Sequence, residues 1–310
     1  MTLMRSDVYF ESCGIGNIRA GIWMPVGEPV AVVQILHGIA EHIERYETFA
    51  RYLNERGILV VAADHMGHGK SIGRDGIQGY FHGGWFAAVK DSYQLLQETR
   101  KQYPDVPYIL FGHSMGSFLA RTILVKYPDS GISGTILCGT GWQSSALLKV
   151  AIPMCNYVCK KDGEKNSSTM LQKLMFGSYN HKVEHVRTEN DWLTRDSRIV
   201  DAYNADPLCG FAATAGLYRD MLSGIRYIQQ PQSLKEMRKD LPVFFIAGGE
   251  DPVGGYGKTV MQTVKAFKDA GMMDVSCKLY PLCRHEILNE INRDEVFGDI
   301  SKWITANILK

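Results

Sequence analysis

Short runs of consecutive apolar residues alternate with longer helical segments through most of this 310-residue chain. The runs predict buried strands, which cover 30–36, 58–63, 106–111, 134–138, 241–247 and 275–280. Helical apolar spacing, chain position and stop signals predict helices near 45–55, 85–103, 117–125, 256–270 and 293–309. Strands that are apolar on both faces and are separated by helices form a parallel sheet covered on both sides. With an opening hairpin at 8–13 and 17–24, the sequence predicts an α/β fold with a mostly parallel sheet of about eight strands.

The alternation stops after about residue 141 and resumes near residue 228. The simplest organisation is a core in two parts, 1–141 and 228–310, with a helical insertion at 142–227 placed above one edge of the sheet. The insertion contains two apolar clusters, one at 147–159 and one at 170–176. Three interpretations stay open for them: helices that pack on each other and on the core, walls of a pocket under a mobile lid, or a surface that touches lipid.

The composition excludes several classes of function. A net charge of +1, from 34 basic and 33 acidic residues, gives no electrostatic basis for binding nucleic acid. The chain has no uncharged apolar run of about 18 residues and no secretory signal at its start, so we expect a cytoplasmic protein without a membrane span. Seven cysteines in a chain of this size argue against a disulfide scaffold. The pairs Cys155/Cys159 and His181/His185 lack further ligands, and we expect no metal site.

A Gly-x-Ser-x-Gly sequence at 112–116 lies directly between the predicted strand at 106–111 and the predicted helix at 117–125. This combination predicts a nucleophile elbow, a sharp turn that exposes a serine hydroxyl at the end of a sheet. The glycines allow the backbone to turn without Cβ clashes. Ser114 is therefore the candidate nucleophile.

A serine hydroxyl needs a base within hydrogen-bond reach, and a carboxylate then orients that base. Functional groups collect beyond the carboxyl ends of parallel strands, where the chain offers Ser114, then Asp251, then His285. This order is the one expected of α/β-hydrolases. Glu250 and Asp64 are the alternatives for the acid, and we expect Asp64 instead to anchor its own loop.

Two backbone amides are needed to stabilise the oxyanion. The amide of Met115 follows the nucleophile directly, and the amide of Ile39 lies in the loop after an earlier strand. The histidines before the elbow suit loop, turn or oxyanion-support roles better than the role of base; they are His37, His42, His65, His68 and His82. His113, inside the elbow, is expected to point away from the nucleophile.

Four motifs together resemble the monoacylglycerol lipase and lysophospholipase group of α/β-hydrolases, which shares its domain with serine aminopeptidases. They are His-Gly-Ile-Ala-Glu-His at 37–42, Asp-His-Met-Gly-His-Gly-Lys-Ser at 64–71, Gly-His-Ser-Met-Gly at 112–116 and Arg-His-Glu-Ile-Leu-Asn-Glu at 284–290. The resemblance implies an α/β-hydrolase fold with a helical cap that forms an acyl-chain pocket. It also implies that Ser114 is the nucleophile, Asp251 the orienting acid and His285 the base, with the Ile39 and Met115 amides as the oxyanion hole.

From these features we predict a serine esterase that acts on a small acyl ester, most simply a monoacylglycerol or lysophospholipid, without a metal or organic cofactor. A peptidase or amidase is the alternative within enzymes, because acidic side chains in the insertion could recognise a free amine. The candidates for that role are Asp191, Asp196, Asp201 and Asp206. A non-catalytic binding protein on the same fold is the alternative from another class. The sequence does not determine the oligomeric state.

Overall fold

The computed structural model describes residues 4–73 and 75–309. Its strands are β1 (Met4–Glu11), β2 (Asn17–Met24), β3 (Ala31–Leu36), β4 (Ile58–Ala63), β5 (Tyr108–His113), β6 (Gly134–Cys138), β7 (Val243–Gly248) and β8 (Val275–Tyr280). Its helices are α1 (Glu47–Asn54), α2 (Trp85–Gln102), α3 (Met115–Lys126), α4 (Ser145–Asp162), α5 (Thr169–Phe176), α6 (Ser197–Ala205), α7 (Ala215–Ile228), α8 (Pro231–Glu236), α9 (Lys258–Asp269) and α10 (Arg293–Asn307).

The strands form one sheet in the order β1-β2-β4-β3-β5-β6-β7-β8. Strands β3 to β8 are parallel, whereas β2 runs antiparallel to both of its neighbours, β1 and β4. The prediction of a mostly parallel, eight-stranded α/β sheet is confirmed. Strand β3 lies between β4 and β5, so the chain continues first on one side of β3 and then on the other. The loop after β3 therefore lies at a topological switch point of the sheet.

Both faces of the sheet are covered at its centre, which is why the central strands β3 to β7 are mostly apolar. In β3, Val32 and Leu36 belong to one apolar cluster and Val33 and Ile35 to the other. Helices α1 and α10 pack on the second cluster, and α2, α3 and α9 pack on the first. Since alternate side chains of a strand point to opposite faces, each central strand contributes to both layers.

Local chemistry moves several element boundaries by two residues. The predicted helix at 45–55 begins with a short 3-10 turn at Ile43–Tyr46 before α1. Strand β5 begins at Tyr108 rather than 106, after Pro107, which has no N–H to donate to a neighbouring strand. Helix α3 begins at Met115, so the elbow turn leads into it without a linker.

Helices α4 to α7 all lie between β6 and β7 in the chain. Helix α7 packs on α2, α3 and α4 and so connects this helical segment to the elbow helix. A short 3-10 turn at Asp191–Leu193 separates α5 from α6. None of the helices in the described ranges is both long enough and apolar enough to cross a membrane.

Candidate active site

Ser114 occupies a strained turn between β5 and α3. Its backbone angles are φ +52° and ψ −120°, a conformation that L-residues adopt rarely. The turn is so tight that only glycine fits at two positions. A Cβ on Gly116 would overlap the carbonyl oxygen of Leu36, and one on Gly112 would overlap the backbone of Gly116. The amide of Ser114 donates to the carbonyl oxygen of Cys138 at 3.0 Å. The side chain, 9% exposed, opens into a cavity under the helical insertion.

His285 and Asp251 lie on the loops that follow β8 and β7. His285 Nδ1 is 3.0 Å from Asp251 Oδ1, and both side chains are buried. The same carboxylate oxygen accepts the amide of Val253 at 2.9 Å, which fixes its direction. A carboxylate that accepts Nδ1–H leaves Nε2 free to take a proton. His285 lines the same cavity as Ser114, so loops from three different strands bring together the three predicted residues.

Ile39 and Met115 line the same cavity as Ser114. The two loops lie close together, since a Cβ on Gly38 would be 3.2 Å from Ser114 Cβ. Neither amide donates a hydrogen bond to any other part of the described chain. Met115 also begins α3, whose N-terminal amides carry partial positive charge. Two free donors beside one hydroxyl can stabilise a negative oxygen bound there.

Glu41 organises the loop that carries Ile39. Its Oε1 accepts the amide of Gly38 at 2.5 Å and the hydroxyl of Tyr46 at 2.8 Å, and it lies 3.2 Å from His113 Nδ1. Burial alone would raise the pKa of Glu41, but the hydrogen bond of His113 and the charge of Arg45 outweigh it and hold that pKa well below its usual range. Burial lowers the pKa of His113, but Glu41 outweighs it and raises that pKa.

Arg45 joins this loop to the loop that carries His285. Its guanidinium donates to Glu41 Oε2 at 2.7 Å and to both carboxylate oxygens of Glu286 at 2.6 Å. Glu41 and Glu286 lie within sequence motifs, but the sequence predicted no role for either of them, nor for Arg45. The available signal was that Glu41 and Glu286 lie within two residues of the predicted site residues Ile39 and His285. The Nδ1 atom of His113 lies 3.2 Å from Glu41 Oε1, and the ring centroid of His113 is 4.8 Å from that of His285.

Three buried histidines, His37, His65 and His68, pack together next to the loop that carries Ile39. His37 Nε2 accepts the amide of His65 at 2.9 Å, and His65 Nε2 lies 3.2 Å from the carbonyl oxygen of His37. Burial lowers the pKa of His65 to about 3 and that of His68 to about 4. The pKa of His37 is likewise well below its usual range because of burial. All three are therefore neutral supports of the loop near pH 7.

The alternative acids lie elsewhere. Glu250 is exposed to solvent. Asp64 is fully buried and accepts the amides of Ile43 at 3.0 Å and Lys70 at 2.9 Å, and it pairs with Arg19 at 3.1 Å. Asp64 therefore anchors its own loop, and the carboxylate bonded to the imidazole of His285 is that of Asp251.

One group of side chains within the described residues has the donor set of a metal site. His42, Asp206 and Cys209 offer ligand atoms that lie within 4.8 Å of one another. His42 Nε2 and Asp206 Oδ2 already form a hydrogen bond of 2.9 Å, and none of the three lines the cavity at Ser114. The group joins the insertion to the loop after β3. His181 and His185 are exposed, and Cys155 and Cys159 are free thiols.

The cavity above Ser114 has a volume of about 330 Å³. This volume is at the lower end of the range for small-molecule sites. Apolar side chains of the insertion form much of its wall; they are Met175, Phe176, Trp192, Phe211, Tyr218, Met221, Leu222 and Ile225. A mostly apolar cavity that ends at a serine hydroxyl suits a flexible apolar chain bearing one reactive polar group.

Comparisons with known proteins agree with this geometry. The family model for serine aminopeptidase, S33, matches residues 27–292. A monoacylglycerol lipase of Mycolicibacterium smegmatis is 27% identical over 98% of this chain and 98% of its own length. A monoglyceride lipase of Homo sapiens is 29% identical over 91% of this chain and 85% of its own length. A thermostable carboxyl esterase from Bacillus coagulans, solved in complex with glycerol, has a TM-score of 0.91 at 31% identity and covers 99% of this chain and 100% of its own.

Proposed function

Because this chain belongs to the serine aminopeptidase S33 family of α/β-hydrolases, we propose that it is a serine hydrolase that cleaves carboxylic esters, with monoacylglycerols as its substrate class. One observation carries the proposal. Ser114, His285 and the two residues with free amides, Ile39 and Met115, line a single cavity whose walls are mostly apolar, and Asp251 holds His285 from behind that wall. The names of the relatives support the same chemistry, since two are lipases of monoacylglycerols and one is an esterase.

In the proposed reaction, Ser114 Oγ attacks the ester carbonyl carbon while His285 Nε2 takes the hydroxyl proton. The amides of Ile39 and Met115 donate to the oxyanion of the tetrahedral intermediate. When the intermediate collapses, the imidazolium of His285 returns the proton to the departing alcohol, and an acyl group remains on Ser114. Water then repeats the sequence with His285 as base, which releases the acid and restores the hydroxyl. Asp251 holds the imidazole ring and stabilises its charged form throughout.

The peptidase alternative depends on free carboxylates in the insertion, and its four candidates already have partners. Asp191 accepts the amide of Thr188 at 3.1 Å, and Asp196 binds Arg198 at 2.9 Å. Asp201 pairs with Arg187 at 2.5 Å and Asp206 with His42 at 2.9 Å. An α-amino group would have to displace one of these contacts, which favours the ester over the peptide substrate.

A hydrolysis panel tests the substrate class. We expect monoacylglycerols and p-nitrophenyl esters of medium chain length to be cleaved faster than acetate esters and aminoacyl amides that lack such a chain, because the apolar wall stabilises a bound chain. A preference of at least about tenfold in kcat/KM for the medium chain over acetate would correspond to the burial of about two methylene groups. Equal rates across chain lengths, or faster cleavage of the amides, would contradict the proposed substrate.

We infer in addition that the protein is cytoplasmic and contacts lipid surfaces reversibly through α4 and α5. Exposed apolar side chains lie on these helices; they are Leu147, Val150, Tyr157, Met170 and Leu174, with exposed fractions of 47–69%. Lys160 and Lys161, in the last turn of α4, add positive charge. An apolar surface next to lysines suits the boundary between lipid headgroups and acyl chains. The cysteines are free thiols, as is usual in the reducing cytoplasm.

Flotation with vesicles of phosphatidylcholine and phosphatidylglycerol tests this contact. The double variant Val150→Glu/Leu174→Glu should lose most of the vesicle-bound fraction, while hydrolysis of a water-soluble ester stays unchanged. Val26→Glu is the matched control, since Val26 is 63% exposed and lies outside the insertion. In fractionated cells, the wild type should divide between cytoplasm and membranes. Equal flotation of the wild type and the double variant would refute the inference.

A further inference from the structure

The loop that carries His285 is held from outside the α/β core. A short segment of the insertion, 192–195, runs alongside this loop, and two amides of the loop donate to it. The amide of His285 donates to the carbonyl oxygen of Trp192 at 3.4 Å, and the amide of Glu286 donates to that of Leu193 at 2.7 Å. The ring of Trp192 lies over the imidazole of His285, with 5.0 Å between centroids. The base therefore has Asp251 at one nitrogen and a tryptophan of the insertion against its ring.

An ion pair between the partly exposed Arg195 and the buried Glu290 holds this segment in place. Glu290 is fully buried, and its carboxylate accepts Arg195 Nε at 2.9 Å and the amide of Arg195 at 3.2 Å. It also accepts the amide of Arg284, next to His285, at 2.8 Å. Arg195 Nη2 donates to Asn292 Oδ1 at 2.7 Å. Removing one partner of such a pair leaves an uncompensated charge in the interior, so the contact is strongly coupled to the positions of both segments.

The side chain of Arg284 closes the connection from the other direction. Its Nη1 donates to the carbonyl oxygens of Asp191 at 2.6 Å and Thr194 at 3.1 Å. The hydroxyl of Thr194 donates to the carbonyl oxygen of Asn289 at 2.9 Å. Both ends of the segment 192–195 are thus hydrogen-bonded to the loop that carries His285. A shift of either the segment or the loop therefore disturbs the other.

We propose that Arg195 and Glu290 are positioning residues for the hydrolytic reaction, which fix the imidazole of His285 by holding the segment 192–195 against its loop. The inference rests on the proposed function, since it concerns the base of that reaction. Ser114 is fixed by the elbow and Asp251 by the amide of Val253, whereas His285 follows the edge strand β8 by several residues. A displacement of about 1 Å at a reacting group costs up to about a hundredfold in rate.

The variant Arg195→Met tests the role, because it keeps the length of the side chain and removes the charge. We expect kcat for a p-nitrophenyl ester to fall roughly ten- to a hundredfold, with KM changed by less than about threefold, because only Trp192 and Leu193 of the segment 192–195 line the cavity and the wall from α5 and α7 is untouched. The rate of labelling by a fluorophosphonate should fall in step with kcat. Arg195→Lys, which retains a donor for Glu290, should recover most of the loss. Arg187→Met removes an exposed ion pair of the same insertion and should match the wild type.

The outcomes separate this inference from the proposed function. A wild-type protein that neither labels nor hydrolyses any ester would refute the proposed function itself. An active wild type with an equally active, folded Arg195→Met variant would refute the positioning role alone, as would a rise in KM at unchanged kcat. Should Arg195→Met fail to fold, Glu290→Gln keeps the shape and weakens the same contact. Its kcat must then fall at unchanged KM, or the positioning role is wrong.

Discussion

The variant Ser114→Ala should lose ester hydrolysis by at least about ten-thousandfold in kcat, the loss typical when the nucleophile of a serine hydrolase is removed. Labelling by a fluorophosphonate should disappear completely, because Ser114 is the one serine among the residues that line the described cavity. The fold should persist, since serine and alanine carry the same backbone penalty at φ +52°. Kinetics with a p-nitrophenyl ester and mass spectrometry of the labelled protein measure both effects.

Ser145→Ala is the matched control for this experiment. Ser145 is an exposed residue in the first turn of α4, and its removal should leave rate and labelling unchanged. Full labelling of the Ser114→Ala variant would assign the nucleophile to a different residue. Unchanged hydrolysis by that variant would exclude an acyl-enzyme formed on Ser114.

The second large effect is expected for Asp251→Asn, with a fall in kcat of about ten-thousandfold, the magnitude associated with an imidazole held in the wrong tautomer. An amide at this buried position can present its NH₂ group to His285 Nδ1, which then has to accept rather than donate. His285 Nε2 would carry the proton and could no longer take one from Ser114. Urea denaturation of the variant, measured beside its kinetics, separates a loss of chemistry from a loss of folding.

Glu250→Gln is the control for the choice of acid. Glu250 precedes Asp251 directly but is exposed, so its neutralisation should change kcat by less than about twofold, as for most surface substitutions. The opposite pattern, with activity lost in Glu250→Gln and kept in Asp251→Asn, would overturn the assignment of the acid. Loss of activity in both variants would show that the loop after β7 needs both carboxylates.

The sequence could predict the strands of the core because their signal is local. A strand that is buried on both faces is apolar at nearly every position, as 58–63 and 134–138 are with the exception of Thr135, and the structure begins and ends these two strands at the predicted residues. Ends that depend on backbone hydrogen bonds were less accurate, as at Pro107. Strand order was not predictable, since the position of β3 between β4 and β5 depends on pairing between distant segments.

The elbow was predictable for a related reason. Its turn demands glycine at two fixed positions beside the serine, and that demand is visible in five consecutive residues. The contacts that hold the loops around it were not visible. Arg45 pairs with Glu41, four residues before it, but its second partner is Glu286, 241 residues away. Arg195 and Glu290 are 95 residues apart.

The sequence by itself determined the α/β core, the position of the elbow and the order of Ser114, Asp251 and His285, because each depends on the composition of a short segment or on chain order. Only the tertiary structure decided which other side chains hold the loops of the site in place. It placed Glu41 under the loop of Ile39 and brought the insertion onto the loop of His285 through Arg195 and Glu290. The physical reason is that a buried charge is stable only beside a specific partner, and the folded chain can supply that partner from any distance along the sequence.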